Sequence, residues 1–229
     1  MNSRPAAGGG RWVDVDPTRL TRWIDNFATR HGAPRVAVEP YGPLLVAPDG
    51  ATAQLHAPPG APPADDLPAF LANAAAYRRI GLLLARKNAV AVGIAEGPEL
   101  VTSKVETSYV QGRTAAGGWS QQRFARRREN QAKAALSDAG ELVVRLLLPE
   151  AGTFAAVVTG GDRRAIDTIL ADRRLAPLTR LRAERLLDVP EPRRAVLVEA
   201  VAAARAVRVL VRDPLPAAPS PDDPAAPGR

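Results

Sequence analysis

The stretch from Ile80 to Val110 sets the strongest limit on what this chain can fold into. Ile80–Ala85 and Ala89–Ala95 are apolar runs separated only by Arg86-Lys87-Asn88, which predicts a hairpin. Gly97-Pro98 marks a turn. Glu99–Val110 then alternates Val101, Ser103, Val105, Thr107 and Tyr109 against Leu100, Thr102, Lys104 and Glu106, a strand with one wetter face. After a polar loop, Gln111–Gly118, the period changes. From about Ser120 the pattern is helical, with Ala132, Leu136, Ala139, Val143 and Leu146 on one stripe, weakened at Gly140 and bounded by Pro149. Phe154–Thr159 reads as a buried strand, Arg163–Leu170 as a helix, Thr179–Leu187 as a strand, Arg194–Arg205 as a helix and Val207–Val211 as a last strand. Three strands followed by strands alternating with helices predict an α/β fold, a mixed β-sheet with flanking helices over residues 80–212.

A small α+β unit, residues 1–79, precedes it. Asp16-Pro17-Thr18 resembles a helix start, and Leu20, Trp23, Ile24 and Phe27 follow at helical spacing until Gly32. Arg35–Glu39, Leu44–Ala47 and Ala51–His56 read as short strands, and Leu67–Arg79 as a helix. Ala57–Pro68 holds five prolines and reads as a linker. Residues 213–229 hold six prolines and read as a disordered tail.

Composition narrows the chemistry. The 229 residues contain no cysteine, which excludes a disulfide scaffold, a thiol nucleophile and a cysteine metal site. His31 and His56 are the only histidines, too few for a histidine-rich metal centre, and no metal or other cofactor is expected. Asp162 and Asp167 read as a helix cap and a surface residue rather than a metal pair, and Gly160-Gly161-Asp162 is an incomplete nucleotide fingerprint. Met1–Gly10 has no apolar run and no stretch is long enough to span a bilayer, so a soluble, cytoplasmic monomer that avoids membranes is expected. Of the 31 basic residues 28 are Arg, so arginine count says little and position says more. Val101–Ala135 holds seven basic and two acidic residues, which is +5 of the net +7. Such a local excess points to a polyanion, nucleic acid first.

That segment contains Gly117-Gly118-Trp119-Ser120-Gln121-Gln122-Arg123-Phe124-Ala125-Arg126-Arg127-Arg128. The two glycines allow a thin tip, and Ser120 suits a helix N-cap. Arg123, Arg126 and Arg127 then fall on adjacent turns, on roughly one side of the helix. A polar tip backed by such a ridge suits contact along a phosphate backbone, and Trp119 beside the glycines reads as a packed aromatic or a platform for an RNA base. A solvated helix face is the commoner account of an arginine run like this, and neither GxGxxG nor GxxxxGK[ST] is present.

The same residues resemble the hydrolytic loop and following helix of the middle domain of eukaryotic and archaeal class I peptide release factors. There the pattern is Gly-Gly-Gln-Ser, two residues, then Arg-Phe-Ala-Arg. The similarity extends in order from Ile80 to about Arg212, including Ala155–Asp162. Here Trp119 occupies the release-factor glutamine position, and Gln121 and Gln122 follow the serine. A Gly-Gly loop with Ser-Gln resembles the release-factor-like peptidyl-tRNA hydrolases of ribosome quality control, the Vms-like family, in its actinobacterial branch. No decoding domain is apparent.

The resemblance implies a sheet of the release-factor middle-domain, RNase H-like type, and release of stalled nascent chains from peptidyl-tRNA on the ribosomal large subunit. It implies a loop in which Gly117, Gly118, Ser120, Gln121 and Gln122 carry catalysis. Two chemistries fit: ester hydrolysis with a Gln amide placing water, or cleavage of the tRNA acceptor end before CCA, with Arg113 or Arg123 on the phosphate. Of the two glutamines, Gln121 adjoins the tip. A non-catalytic ribosome- or RNA-binding module is the alternative. A metal-dependent nuclease is disfavoured, because no acidic cluster falls on the early strands.

Overall fold

A computed structural model describes residues 3–86, 89–107 and 134–214. The chain divides into two units: Met1–Ala57 with Ala64–Leu71 and the chain from Val207, and Pro58–Pro63 with Ala72–Ala206.

The first unit is built on six strands: β1 Ser3–Pro5, β2 Arg11–Val15, β3 Arg35–Glu39, β4 Gly42–Val46, β5 Thr52–His56 and β11 Val207–Arg212. Their order is β1-β2-β11-β5-β4-β3, and every pair is antiparallel. Helix α1, Leu20–His31, follows a 3-10 turn whose Asp16 carboxylate accepts from the Thr18 N–H at 2.9 Å. Gly32 ends it at φ 88. Val13 and Val211 line a cleft with Trp23 and Phe27, which puts α1 over that face of the sheet. Val13, Val15, Ala53, Leu55, Val207, Val209 and Val211 are buried, and the residues between them are only half-buried. That is the alternation of a sheet with one covered face.

In this unit two findings differ from the sequence reading. Strands β1 and β2 are absent from that reading: β1 is three residues ending in proline, and Asp14 sits inside the apolar run of β2. The last strand pairs with β2 and β5 in the first sheet, not with the larger unit's sheet. The reason is burial. The second sheet's inner strands are apolar on both faces, whereas Val207, Val209 and Val211 alternate with Arg208, Leu210 and Arg212. Such a strand fits a sheet covered on one side.

The second unit contains α2 Leu67–Ala75 in part, β6 Arg79–Arg86, β7 Ala89–Glu96, β8 Glu99–Thr107, a helix α3 over 134–146, β9 Ala156–Gly161, α4 Arg163–Leu170, α5 Ala176–Arg180, β10 Arg182–Leu187 and α6 Arg194–Arg205. The sheet order is β10-β9-β6-β7-β8. β10, β9 and β6 run parallel, and β7 and β8 antiparallel, so the sheet is mixed. Leu83, Val92 and Val157 face Leu142, Val143 and Ile166, which sets α3 and α4 on one side. Leu82, Leu84 and Val158 face Leu197, Ala200 and Val201 of α6 on the other. This is the expected mixed sheet with flanking helices. α5 occupies the start of the stretch read as one strand, so β10 begins only at Arg182.

The proline-rich stretch is packed where it is described. An added Cβ on Gly60 would lie 2.8 Å from the Ala155 Cβ, and the Pro62 and Pro63 carbonyls accept from the Asn73 amide at 3.3 and 3.0 Å. Prolines here remove donors without breaking a ladder.

Gly161 closes β9 at φ +95, where a Cβ would lie 2.2 Å from the Ala85 carbonyl oxygen. Gly161→Ala is expected to cost about 1–3 kcal/mol, since strain and a backbone clash coincide. Urea unfolding of the second unit measures it, and a loss under about 0.5 kcal/mol, the level of a neutral surface change, would contradict the close approach.

Candidate functional site

The sheet of the second unit delivers four strand ends to one place. Thr107 of β8 pairs with Ala89, and Ala89 pairs with Arg86 at the end of β6. Ala85 pairs with Gly161 and Gly160 with Leu187, so β9 and β10 end there too. Parallel strands ending together form the edge at which α/β sheets carry ligands. The segment 108–133 leaves from this edge, after β8, and the chain is next described in α3.

The base of that segment is firmly held. Ala139, Leu142 and Val143 of α3, and Leu147 just beyond it, are all 2% exposed or less. Arg145 reaches Glu106 of β8 at 3.4 Å. Glu141 ion-pairs with Arg174, which also holds Asp172. The hydrogen bond from Arg174 pulls the Glu141 carboxyl below its usual range. Strand, helix and the turn after α4 are thereby tied together.

Arginines that the sequence reading left aside stand at the same edge. Arg163 and Arg164 open α4 directly after β9, and Arg193 and Arg194 open α6; all four are exposed. Arg86 pairs with Asp188 at 3.2 Å. The far end of α6, Ala204 and Arg205, lies beside Arg78 and Ile80 at the other end of the sheet. The signal available in sequence was an arginine pair at the start of each helix that follows a parallel strand.

Arg113, Gly117, Gly118, Trp119, Ser120, Gln121, Gln122, Arg123, Arg126 and Arg127 all lie between 108 and 133, outside the described residues. The other candidates have plain partners. Asp162 caps α4, accepting from the Arg164 and Ala165 N–H groups at 2.8 and 3.3 Å. Asp167 binds Arg182 at 2.6 Å. Gly160 and Gly161 serve close packing on Leu84 and Ala85. His31 sits 2.8 Å from Asp49 at the end of α1. The Ala51 N–H, and then His31, hold the Asp49 carboxyl below its usual range. Among the described residues no group of three His, Asp or Glu side chains could hold a metal ion, and no helix is long and apolar enough to cross a membrane.

The fold supplies a mixed sheet with a ligand-type edge, and comparison with known proteins gives the family. Residues 78–210 match the family model described as the Actinobacteria/chloroflexi VLRF1 release factor. The match covers more than half of the chain, and the chain belongs to that family. It is 34% identical over 83 residues to peptide chain release factor subunit 1 of Pyrococcus abyssi (strain GE5 / Orsay), covering 35% of this chain and 20% of that factor. The matched part thus spans a fifth of the relative's length. The crystal structure of the archaeal translation termination factor aRF1 superposes with a TM-score of 0.41 at 15% identity, over 85% of this chain and 65% of that one. A second solved archaeal protein gives 0.41 and 15%, over 85% and 66%. Superposition at that level does not establish a common fold.

Proposed function

We propose that this protein is a peptidyl-tRNA hydrolase that releases stalled nascent chains from the ribosomal large subunit. The observation that carries the reading is the family match over 78–210, which contains the whole Gly117–Arg128 motif. The chemistry is ester hydrolysis positioned by a glutamine amide, or cleavage of the tRNA acceptor end before CCA. An amide both donates and accepts, so it can orient a water or a ribose hydroxyl while a backbone N–H stabilises the developing oxyanion. No protein general base is then required, in keeping with a loop that has no histidine or acid from Gln111 to Gln122. Residues 80–212 are read as the release-factor-like part, with β11 contributed to the first unit's sheet. The protein acts as a monomer in the cytoplasm, with no cofactor.

Sizing the tRNA after reaction on isolated large subunits separates the chemistries. Full-length tRNA means ester hydrolysis, and tRNA shortened at its acceptor end means cleavage. Unchanged peptidyl-tRNA rejects both and leaves a binding module. That second reading is favoured by Trp119, which stands where the release factors carry glutamine and could stack on a base.

Binding to ribosomes or tRNA is expected to fall steeply with salt, as Arg123, Arg126 and Arg127 displace counterions from phosphates. Arg126→Ala with Arg127→Ala should reduce the slope of log affinity against log salt by about 1–2. A slope unchanged in that variant makes the ridge a solvated face only.

A further inference from the structure

The face of the first sheet opposite α1 carries a linked series of rings that peptide release does not use. Strand register puts Trp12 of β2, Arg208 of β11 and His56 of β5 on this face, facing away from Val13, Val209 and Leu55. Tyr41, in the turn between β3 and β4, stacks on His56 with ring centroids 5.3 Å apart and planes at 26°. His56 meets Trp12 edge-on at 5.0 Å. The Arg208 guanidinium lies 4.3 Å from the Trp12 ring centroid. Burial, and then the Arg208 charge, hold the His56 pKa below its ordinary value, which favours the neutral ring at pH 7.

Ordinary packing accounts for Trp12 and His56, which are half-buried. It does not account for Tyr41, whose residue surface is 68% exposed. A large ring fixed against a neighbour while most of its surface meets water is set up to take another flat group. Charge says which kind. The same face carries Arg4, Arg35, Arg208 and Arg212 against Asp14 and Glu39. Arginines interleaved with rings differ from the charge-depleted centre of a protein–protein interface. They match single-stranded nucleic acid, which offers π-faces and phosphates in alternation.

We propose that this face is a platform for unpaired RNA, with a base stacked on the open side of Tyr41 and backbone phosphates met by Arg35 and Arg212, Arg4 being paired with Asp14 at 3.4 Å. It goes beyond the release reaction, since it lies in the other unit and needs no catalysis. It gives the small N-terminal unit a role: holding an unpaired RNA strand.

The test is anisotropy of a short labelled oligoadenylate titrated with the full chain carrying Arg126→Ala and Arg127→Ala, so that the loop arginines contribute less. Tyr41→Ala in that background should weaken binding about tenfold, within the range of one lost base stack, and Tyr41→Phe should restore it. The same sequence in a duplex should bind about tenfold more weakly than the single strand, its bases being unavailable for stacking. Because Tyr41 is exposed, its melting temperature should be unchanged. Binding of Tyr41→Ala within about twofold of its parent, well below one base stack, would overturn the proposal, as would equal affinity for the duplex or no binding by the parent. The oligonucleotide assay contains no peptidyl-tRNA and no ribosome, so a failure of this face and a failure of the release reading are read separately.

Discussion

Gln121→Ala is expected to lower peptide release from peptidyl-tRNA about a hundred- to a thousandfold, the scale of losing one group that acts only at the transition state. Ribosome binding and thermal stability should hardly move, because a polar substitution outside a packed core or cap usually stays within about 0.5 kcal/mol. The choice among three residues rests on chemistry. Register with the release-factor motif points to Trp119, but an indole has one N–H donor and no acceptor and cannot hold a water as an amide does. If the helix begins at Ser120, Gln121 and Gln122 lie in its first turn about 100° apart, so only one faces the substrate. Gln121 adjoins the Gly-Gly tip. Gln122→Ala should therefore be milder. Full activity in Gln121→Ala with none in Gln122→Ala would shift the register by one residue, and full activity in both would remove the glutamine mechanism.

Ending the chain after Ala206 is expected to unfold the first unit. Val207, Val209 and Val211 of β11 are 0%, 0% and 2% exposed. Burying such side chains contributes about 1.5–3 kcal/mol each, and together they rival the total of about 5–15 kcal/mol that holds a domain. The strand also sits between β2 and β5. Its loss leaves two unpaired inner edges, with donors and acceptors lacking partners. Ending the chain after Arg212 instead removes only the exposed Arg11–Asp213 pair from the described residues, and such pairs contribute little. That shorter truncation should keep both the fold and peptide release. Hydrogen exchange decides: protection of β2 and β5 should vanish in the first truncation and persist in the second. Protected β2 and β5 without β11 would contradict the six-stranded sheet.

The second unit was largely legible because its strands are apolar on both faces and its helices follow a 3.6-residue period. Ile80–Ala85, Ala89–Ala95 and Phe154–Thr159 needed no partner to be read as strands. What sequence could not supply was pairing. Val207–Arg212 reads as a strand either way, and only its alternating burial tells that its sheet is covered on one side. Arg11–Val15 carries Asp14 inside its run, whereas Arg35–Glu39, of equal length, carries its charges only at the ends. The candidate site splits in the same manner. Gly117–Arg128 is contiguous, so its resemblance was visible, and its geometry lies outside the described residues. The edge arginines and the Tyr41–His56–Trp12–Arg208 series join residues far apart in the chain. They exist only once strand register and strand direction are known.

The central claim is peptide release, and it is tested most directly on isolated large ribosomal subunits carrying a labelled peptidyl-tRNA. The protein should free the peptide from its tRNA in time, and Gln121→Ala should leave the complex intact while still binding it. Peptide that stays joined to full-length tRNA in the presence of bound wild-type protein would contradict the hydrolase reading.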